Sequence, residues 1–258
     1  MLNNLKPLIL LFLSAISYTS FAQTGHEVGL YTGPVQMRGD FGLRGDHDTN
    51  KSNIGFGIGL MYDLNPMEWG RGFSKFGKHF LEHSKLRADI AYNKTSMKHY
   101  GKFVAPDRIS EDSEKLRAQR GTSSNFDFGI NYEYYPLSLM HFYYRFFHFA
   151  PYFIFGVHGT YANPGARTDY GDQDITNPDN FYGPWEDGSI DTSSFFTMSI
   201  LPGIGVRYKL DAFSDFMFEV KWQFFNTDWI DGLDHQLSYN KYKDSQVWFN
   251  FGYIYYIN

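Results

Sequence analysis

Residues 54 to 64 read IGFGIGLMYDL. Every even position carries a large apolar group (Ile54, Phe56, Ile58, Leu60, Tyr62, Leu64), while the odd ones carry Gly55, Gly57, Gly59, Met61 and Asp63. A two-residue period marks a β-strand with two unlike faces. The fold turns on which face is inside.

The same period recurs along the chain. Leu86, Ala88, Ile90 and Tyr92 alternate with Lys85, Arg87, Asp89 and Ala91; Phe126, Phe128, Ile130, Tyr132 and Tyr134 alternate with Asp127, Gly129, Asn131 and Glu133. Phe216, Phe218, Val220, Trp222 and Phe224 form a third such series, and Val247, Phe249, Phe251, Tyr253, Tyr255 and Ile257 a fourth. Weaker strands are expected over Glu27 to Gly33, Pro151 to Tyr161 and Phe195 to Lys209, the last with a bulge or poorly paired stretch at Pro202. That gives eight strands, several of which reach the ~9 to 11 residues of a tilted transmembrane strand.

Composition agrees. Twenty-six Phe, 20 Tyr and 25 Gly are the residues of strands and turns. The net charge of −5 comes without a basic run, so nucleic acid is not an expected partner. The absence of Cys removes disulfides, thiolate metal sites and thiol nucleophiles. The N-terminus has Lys6, an apolar run from Leu8 to Ile16, and Ser20-Phe21-Ala22 before Gln23. This is the order of a cleaved export signal, so 1–22 is read as signal peptide and 23–258 as one barrel domain.

Volume decides the faces. A soluble ligand-binding barrel would turn its apolar side inward, but an eight-stranded barrel has an interior only wide enough for its side chains to fill. The bulkier faces of eight strands hold far more Phe, Tyr, Ile, Leu, Val and Trp than such a space accepts. Reversed, the lumen receives glycines together with Glu27, Asp63, Asp89, Asp127, Glu133 and Glu219 against Lys85, Arg87, Arg207, Lys209 and Lys221. Near-balanced charge suits a closed interior, because an unpaired buried charge is costly. The expected fold is an all-β, eight-stranded antiparallel transmembrane β-barrel whose apolar face meets outer-membrane lipid. Arg87, Asp89, Asp127, Glu133, Arg207, Glu219 and Lys221 form its lumen polar network. Tyrosines and Trp222 near the strand ends fit aromatic girdles. A soluble sandwich with an aromatic core is the rival, and its outer face should be charged rather than glycine-rich.

With the N-terminus on the periplasmic side, the outward loops run from Pro34 to Asn53, Ser96 to Ser124, Ala162 to Ser193 and Asn226 to Ser245, and all are long. In the second, Ser110 caps a short helix with Glu111 and Asp112 in its first turn and Gly121 as its stop. Two of the returns exceed a tight turn. In one, Trp69, Phe73, Phe76 and Phe80 are spaced 4, 3 and 4, a helical stripe flanked by Arg71, Lys75, Lys78 and His79. It reads as an interfacial anchor or as a docking face for a periplasmic partner. The other, Pro136 to Phe149, is similarly aromatic.

Other motifs carry less. Gly55, Gly57 and Gly59 fail the dinucleotide spacing. Arg38-Gly39-Asp40 and Arg44-Gly45-Asp46 resemble adhesion tripeptides, and Asp46, Asp48 and Asn50 resemble the start of a calcium loop without its Gly and bidentate Glu. His158 is expected inside the lumen with no serine shown to meet it. No catalytic residue, cofactor or metal is therefore expected.

HEVGLYTGPV, NIGFGIGLMYDL, SEKLRAQRG, GVRYKLDAFSD, DWIDGL and FGYIYYIN resemble a family of small exported barrels from Bacteroidetes over nearly the whole mature chain. That family is similar to the outer-membrane barrel subunit of the type IX secretion system, which contacts a periplasmic ring of partner proteins. The resemblance implies a non-enzymatic scaffold or anchor with a periplasmic or outer-membrane protein partner. The alternative is an adhesion or binding barrel acting through its surface loops; an outer-membrane hydrolase or acyltransferase is the least favoured.

Overall fold

Each alternating stretch folds as a strand antiparallel to its neighbours in sequence. In the computed structural model these are β1 (Gly25–Arg38), β2 (Ile54–Asn65), β3 (Ser84–Met97), β4 (Gln119–Tyr134), β5 (Phe149–Thr168), β6 (Phe195–Lys209), β7 (Ser214–Phe225) and β8 (Ser245–Ile257). The structure describes residues 25–43, 46–66, 74–175, 177–185, 187–235, 237 and 243–257. The expected signal peptide lies outside them. β8 pairs back onto β1, from His26 opposite Ile257 to Arg38 opposite Ser245, and the sheet closes. Closure leaves no unpaired edge, the condition for a sheet to exist in hydrocarbon.

The bulky face is the outer one. On β2, Phe56 is 61 % exposed, whereas Asp63 is 1 % exposed. Leu86, Ile90, Phe126, Phe128, Ile130, Phe216 and Phe251 point outward in the same way. A closed barrel with an apolar outer wall and charges inside is an outer-membrane β-barrel, with lipid as the solvent of Phe56 and its neighbours. Tyr92, Phe126, Tyr161 and Phe196 are successive cross-strand partners and make one aromatic row. Phe149, Tyr208, Phe216 and Tyr253 make another at the opposite rim. Above the first row the outward positions of β4 and β5 turn polar, at Ser124, Asn163 and Arg167.

Two expectations are corrected, and at Pro202 the poorly paired stretch is found and the bulge is not. β4 begins at Gln119 and β5 runs to Thr168, so this wall rises through what was assigned to loops. The loop helix forms over Glu111–Ala118, with the Ser110 hydroxyl accepting from the Ser113 N–H (3.3 Å), but Gly121 does not stop it. Gln119, extended at φ −73 and ψ 142, leads directly into β4, where Gly121 makes room for the Phe41 ring. The β6–β7 ladder omits Leu201 and Pro202, then resumes at Gly203 opposite Lys221 in unchanged register. Pro202 thus leaves a pairing gap and no bulge, because it has no N–H to give.

The lumen also holds more carbon than expected. Tyr31, Tyr152 and Trp248 are buried inside. Tyr31 is the cross-strand partner of Gly59 and Tyr152 that of Gly205, and a Cβ at either glycine would overlap the ring beside it. Trp248 covers Gly57 similarly. Gly57 and Gly59 of the opening stretch are sockets for rings, which explains why a narrow barrel needs them, while Gly55 lies against the Lys94 carbonyl and Thr95.

Candidate functional site

Two guanidinium groups organise the middle and lower lumen. Arg87 donates to Asp63 (3.0 Å) and Glu219 (2.7 Å) and pairs with Glu133. Arg207 reaches Glu27 (2.6 Å) and Asp215 (2.8 Å). Lys85 bonds Glu27 at 2.7 Å, and Lys221 lies 3.4 Å from both Asp89 and Glu219. Tyrosine hydroxyls donate to the same acids: Tyr135 to Glu133 (2.6 Å), Tyr152 to Glu219 (2.7 Å) and Tyr256 to Asp215 (2.6 Å). Asp127 is held by neutral donors, Thr160 (2.6 Å), Gln223 (2.9 Å) and Asn93 (3.2 Å). All seven residues of the expected network are buried inside the barrel. Asp215, outside the series read from Phe216 onward, joins it on β7. Arg87, Arg207, Glu133 and Glu219 have no exposed surface, so the interior is packed rather than an aqueous path.

At the periplasmic end, α1 (Lys75–Glu82) carries the described part of the aromatic stripe. Trp69, Phe73 and the Phe76 side chain lie outside the described residues. Phe80 stacks on Tyr132, centroids 6.0 Å apart, and Tyr132 sits on the outward face of β4. This portion of the helix therefore meets the barrel wall at its lower rim. The second long return differs from expectation. Leu139 and Phe142, on the short helix Leu139–Tyr143, are fully buried, and the Tyr143 hydroxyl donates to Glu27 at 2.5 Å. Lys209 stands 5.2 Å from the Phe142 ring and 5.1 Å from that of Tyr143. The middle of Pro136 to Phe149 is thus a plug over buried ammonium groups. Arg145, at φ 62, turns the chain outward again, leaving Tyr144 and Phe146 73 % and 76 % exposed.

At the extracellular end the loops fold together over the mouth. Met37, Phe41, Met97, Phe225, Ile230 and Leu233 form a buried apolar cluster, with Trp185 and Ile190 against it. The Asp40 N–H donates to the Asp231 carboxylate (2.5 Å), the His235 N–H to the Asp40 carboxylate (3.3 Å), and Ile190 bridges to Leu233. The Gly183 N–H donates to Asp112 on the loop helix at 3.3 Å. Between these loops opens a small pocket, a cavity volume of about 50 Å³ within a wider cleft open to solvent. Its walls include Phe41, Phe103, Tyr182 and Trp185, and Asp40, His99 and His235 also line it. Trp185 stacks on His235 at 5.7 Å, and His99 lies 5.0 Å from the Phe41 ring. Enclosure by these rings pushes the His99 pKa down to about 4, against the raising effect of its bond to Gln119 (2.9 Å), so the imidazole is neutral. Except for Asp40, read as part of a tripeptide, none of the residues lining this pocket was singled out from the sequence. The available signal was four loops carrying bulky rings that a merely solvated loop would not need.

No family model matches the chain, and no curated protein matches it. Solved structures similar to it include the attachment invasion locus protein Ail of Yersinia pestis in complex with the heparin analogue sucrose octasulfate, at 10 % identity over 91 % of this chain and 99 % of that one, TM-score 0.42. Neisserial surface protein A is 13 % identical over 89 % and 96 %, TM-score 0.42, and a major outer membrane protein from Thermus thermophilus 10 % identical over 90 % and 99 %, TM-score 0.45. At such identity the functional reading rests on this chain's own geometry.

The remaining motifs are structural. The Asp46 carboxylate accepts from the Asp48 N–H (3.0 Å) and caps one helical turn, His47–Asn50, in which the Asn50 amide is spent on the Leu43 and Asp46 carbonyls. Asp40 of the first tripeptide is 3 % exposed within the loop cluster. Arg44 and Gly45 of the second lie outside the described residues. His158 is buried against Asn131 (2.9 Å) and Asp89 (3.4 Å), and the neighbouring Ser199 hydroxyl accepts from Gln223 (2.9 Å).

Proposed function

We propose that this chain is a non-enzymatic outer-membrane barrel that recognises a ligand outside the cell through its extracellular crown. One observation carries the reading: separate loops converge on a single ring-lined pocket above a lumen filled with ion pairs. A packed lumen suits a rigid support more than a conduit, and loops held by a rigid scaffold are where binding residues concentrate. Barrel mouths are a common location for ligand pockets. Cells displaying the barrel and cells displaying a Phe103→Ala, Trp185→Ala variant are to be compared on glycan, lipid and peptide arrays. The reading expects at least one ligand retained by the first and lost by the second. Identical array profiles would sink it.

The resemblance to Bacteroidetes barrels and to the type IX secretion subunit supports a second reading, a scaffold anchoring a periplasmic assembly. The observation favouring it is the exposure of Tyr144 and Phe146 beside the plug, with the stripe Trp69, Phe73, Phe76 and Phe80 as its companion surface. A photocrosslinker at Phe146 should capture a periplasmic protein in intact envelopes. Unimpaired protein secretion in a deletion strain would remove the secretion role.

A further inference from the structure

We infer that the crown pocket receives an alkylammonium group, the charged end shared by choline, methylated lysine and choline-bearing lipids. This rests on the crown being a recognition surface, and it adds the chemistry of what is recognised. Five side chains in the wall, Phe41, Tyr100, Phe103, Tyr182 and Trp185, carry aromatic rings. Ring faces are negative and attract cations within about 6 Å of the centroid, which is how aromatic cages hold quaternary ammonium ligands.

The charged groups around the pocket point the same way. Asp40 lines it while only 3 % exposed, its carboxylate 3.8 Å from the His235 imidazole, and behind the lining Asp228 and Asp234 each bring a carboxylate oxygen within 4.8 Å of one of Asp40's. An anionic ligand would meet the Asp40 carboxylate on the lining. His99 is neutral and adds no opposing positive charge. Lys102 places its ammonium 5.1 Å from the Phe103 ring, so this ring already accepts a cation. A neutral sugar could use the rings but would draw nothing from the acidic side. A wholly apolar ligand would be badly placed against Asp40.

The test is isothermal titration of the folded barrel in maltoside detergent, which carries no ammonium headgroup. The titrants are choline, trimethyl-lysine and 3,3-dimethylbutan-1-ol, the uncharged isostere of choline. The inference expects choline and trimethyl-lysine to bind at least about 10-fold more tightly than the isostere. Phe103→Leu, which keeps an apolar wall but removes the ring, should weaken choline binding about 5-fold, and Phe103→Trp should restore or tighten it. Phe103 is 40 % exposed, so both variants are expected to fold.

Equal binding of choline and its isostere, or choline binding indifferent to Phe103→Leu, overturns the inference. A short-chain phosphocholine lipid binding more tightly than choline would identify a lipid headgroup as the source; tighter trimethyl-lysine would identify a peptide. Either outcome supports the shared chemistry. If the arrays show crown-dependent binding while no ammonium compound binds, the ligand class is wrong and the recognition reading stands. If neither occurs, both fall.

Discussion

The two ends of this barrel solve one problem by opposite means. The packed lumen ends in two mouths, and each is covered. At the periplasmic end, one return inserts Phe142 and Tyr143 onto Lys85, Lys209 and Glu27, so the cover is bonded to what it covers. At the extracellular end, loops pack carbon on carbon around Met37, Phe41 and Leu233, and the irregular fit leaves a pocket. Directional bonds between a plug and its seat leave little spare volume. Loops that meet from different parts of the chain enclose space, and enclosed space lined by chemistry is what binding requires.

The contrast can be broken at several points. The largest effect is expected inside the lumen near the plug: Arg207→Met leaves Glu27 and Asp215 without their main partner and should cost ~3–5 kcal/mol. The urea midpoint of the heat-modifiable folded band measures it, and an unchanged midpoint would refute the charge-seated lower end. Phe142→Ala, which empties the plug, should cost about 3 kcal/mol by the same assay. Crown-dependent ligand binding should survive in whatever fraction folds.

The crown should respond to acid. His99 is held near pKa 4 when folded, against an ordinary value of about 6.5, so the loosened crown takes up a proton first as the pH falls. Stability present above about pH 6.5 is lost as the pH drops toward 4. Protease nicking within 98–118 should rise over that window while the folded band persists; a crown equally resistant at pH 7 and pH 4.5 would contradict the lowered His99 pKa. The smallest effect is Ser110→Ala, which removes the cap of the loop helix at about 1 kcal/mol and should raise amide exchange over Glu111–Ala118 alone.

How much of this was legible follows from the range of each interaction. Period-two alternation is local, so the eight strands, their faces and the lumen position of Arg87, Asp89 and Glu219 could be read from short windows. Asp215 could not, because the boundary between a tight return and the next strand depends on pairing with Ile254. Tyr31 and Tyr152 were missed as lumen residues because their space is supplied by Gly59 and Gly205 on other strands. The pocket was least legible of all. Asp40 and Asp231 meet across 191 residues, and nothing local to either announces the other.

The closure of β8 onto β1 carries a further consequence, for the order of events in assembly. β1 leads the folded barrel in sequence, and one of its two flanks is completed by the last strand in sequence. Until β8 is in place, the stretch from His26 to Arg38 keeps a row of unmet donors and acceptors, interrupted by the missing N–H of Pro34. The barrel is thus exposed to wrong partners for as long as its final hairpin is unmade. Its period of vulnerability is set by the time that hairpin takes to arrive, whatever the stability of the finished molecule.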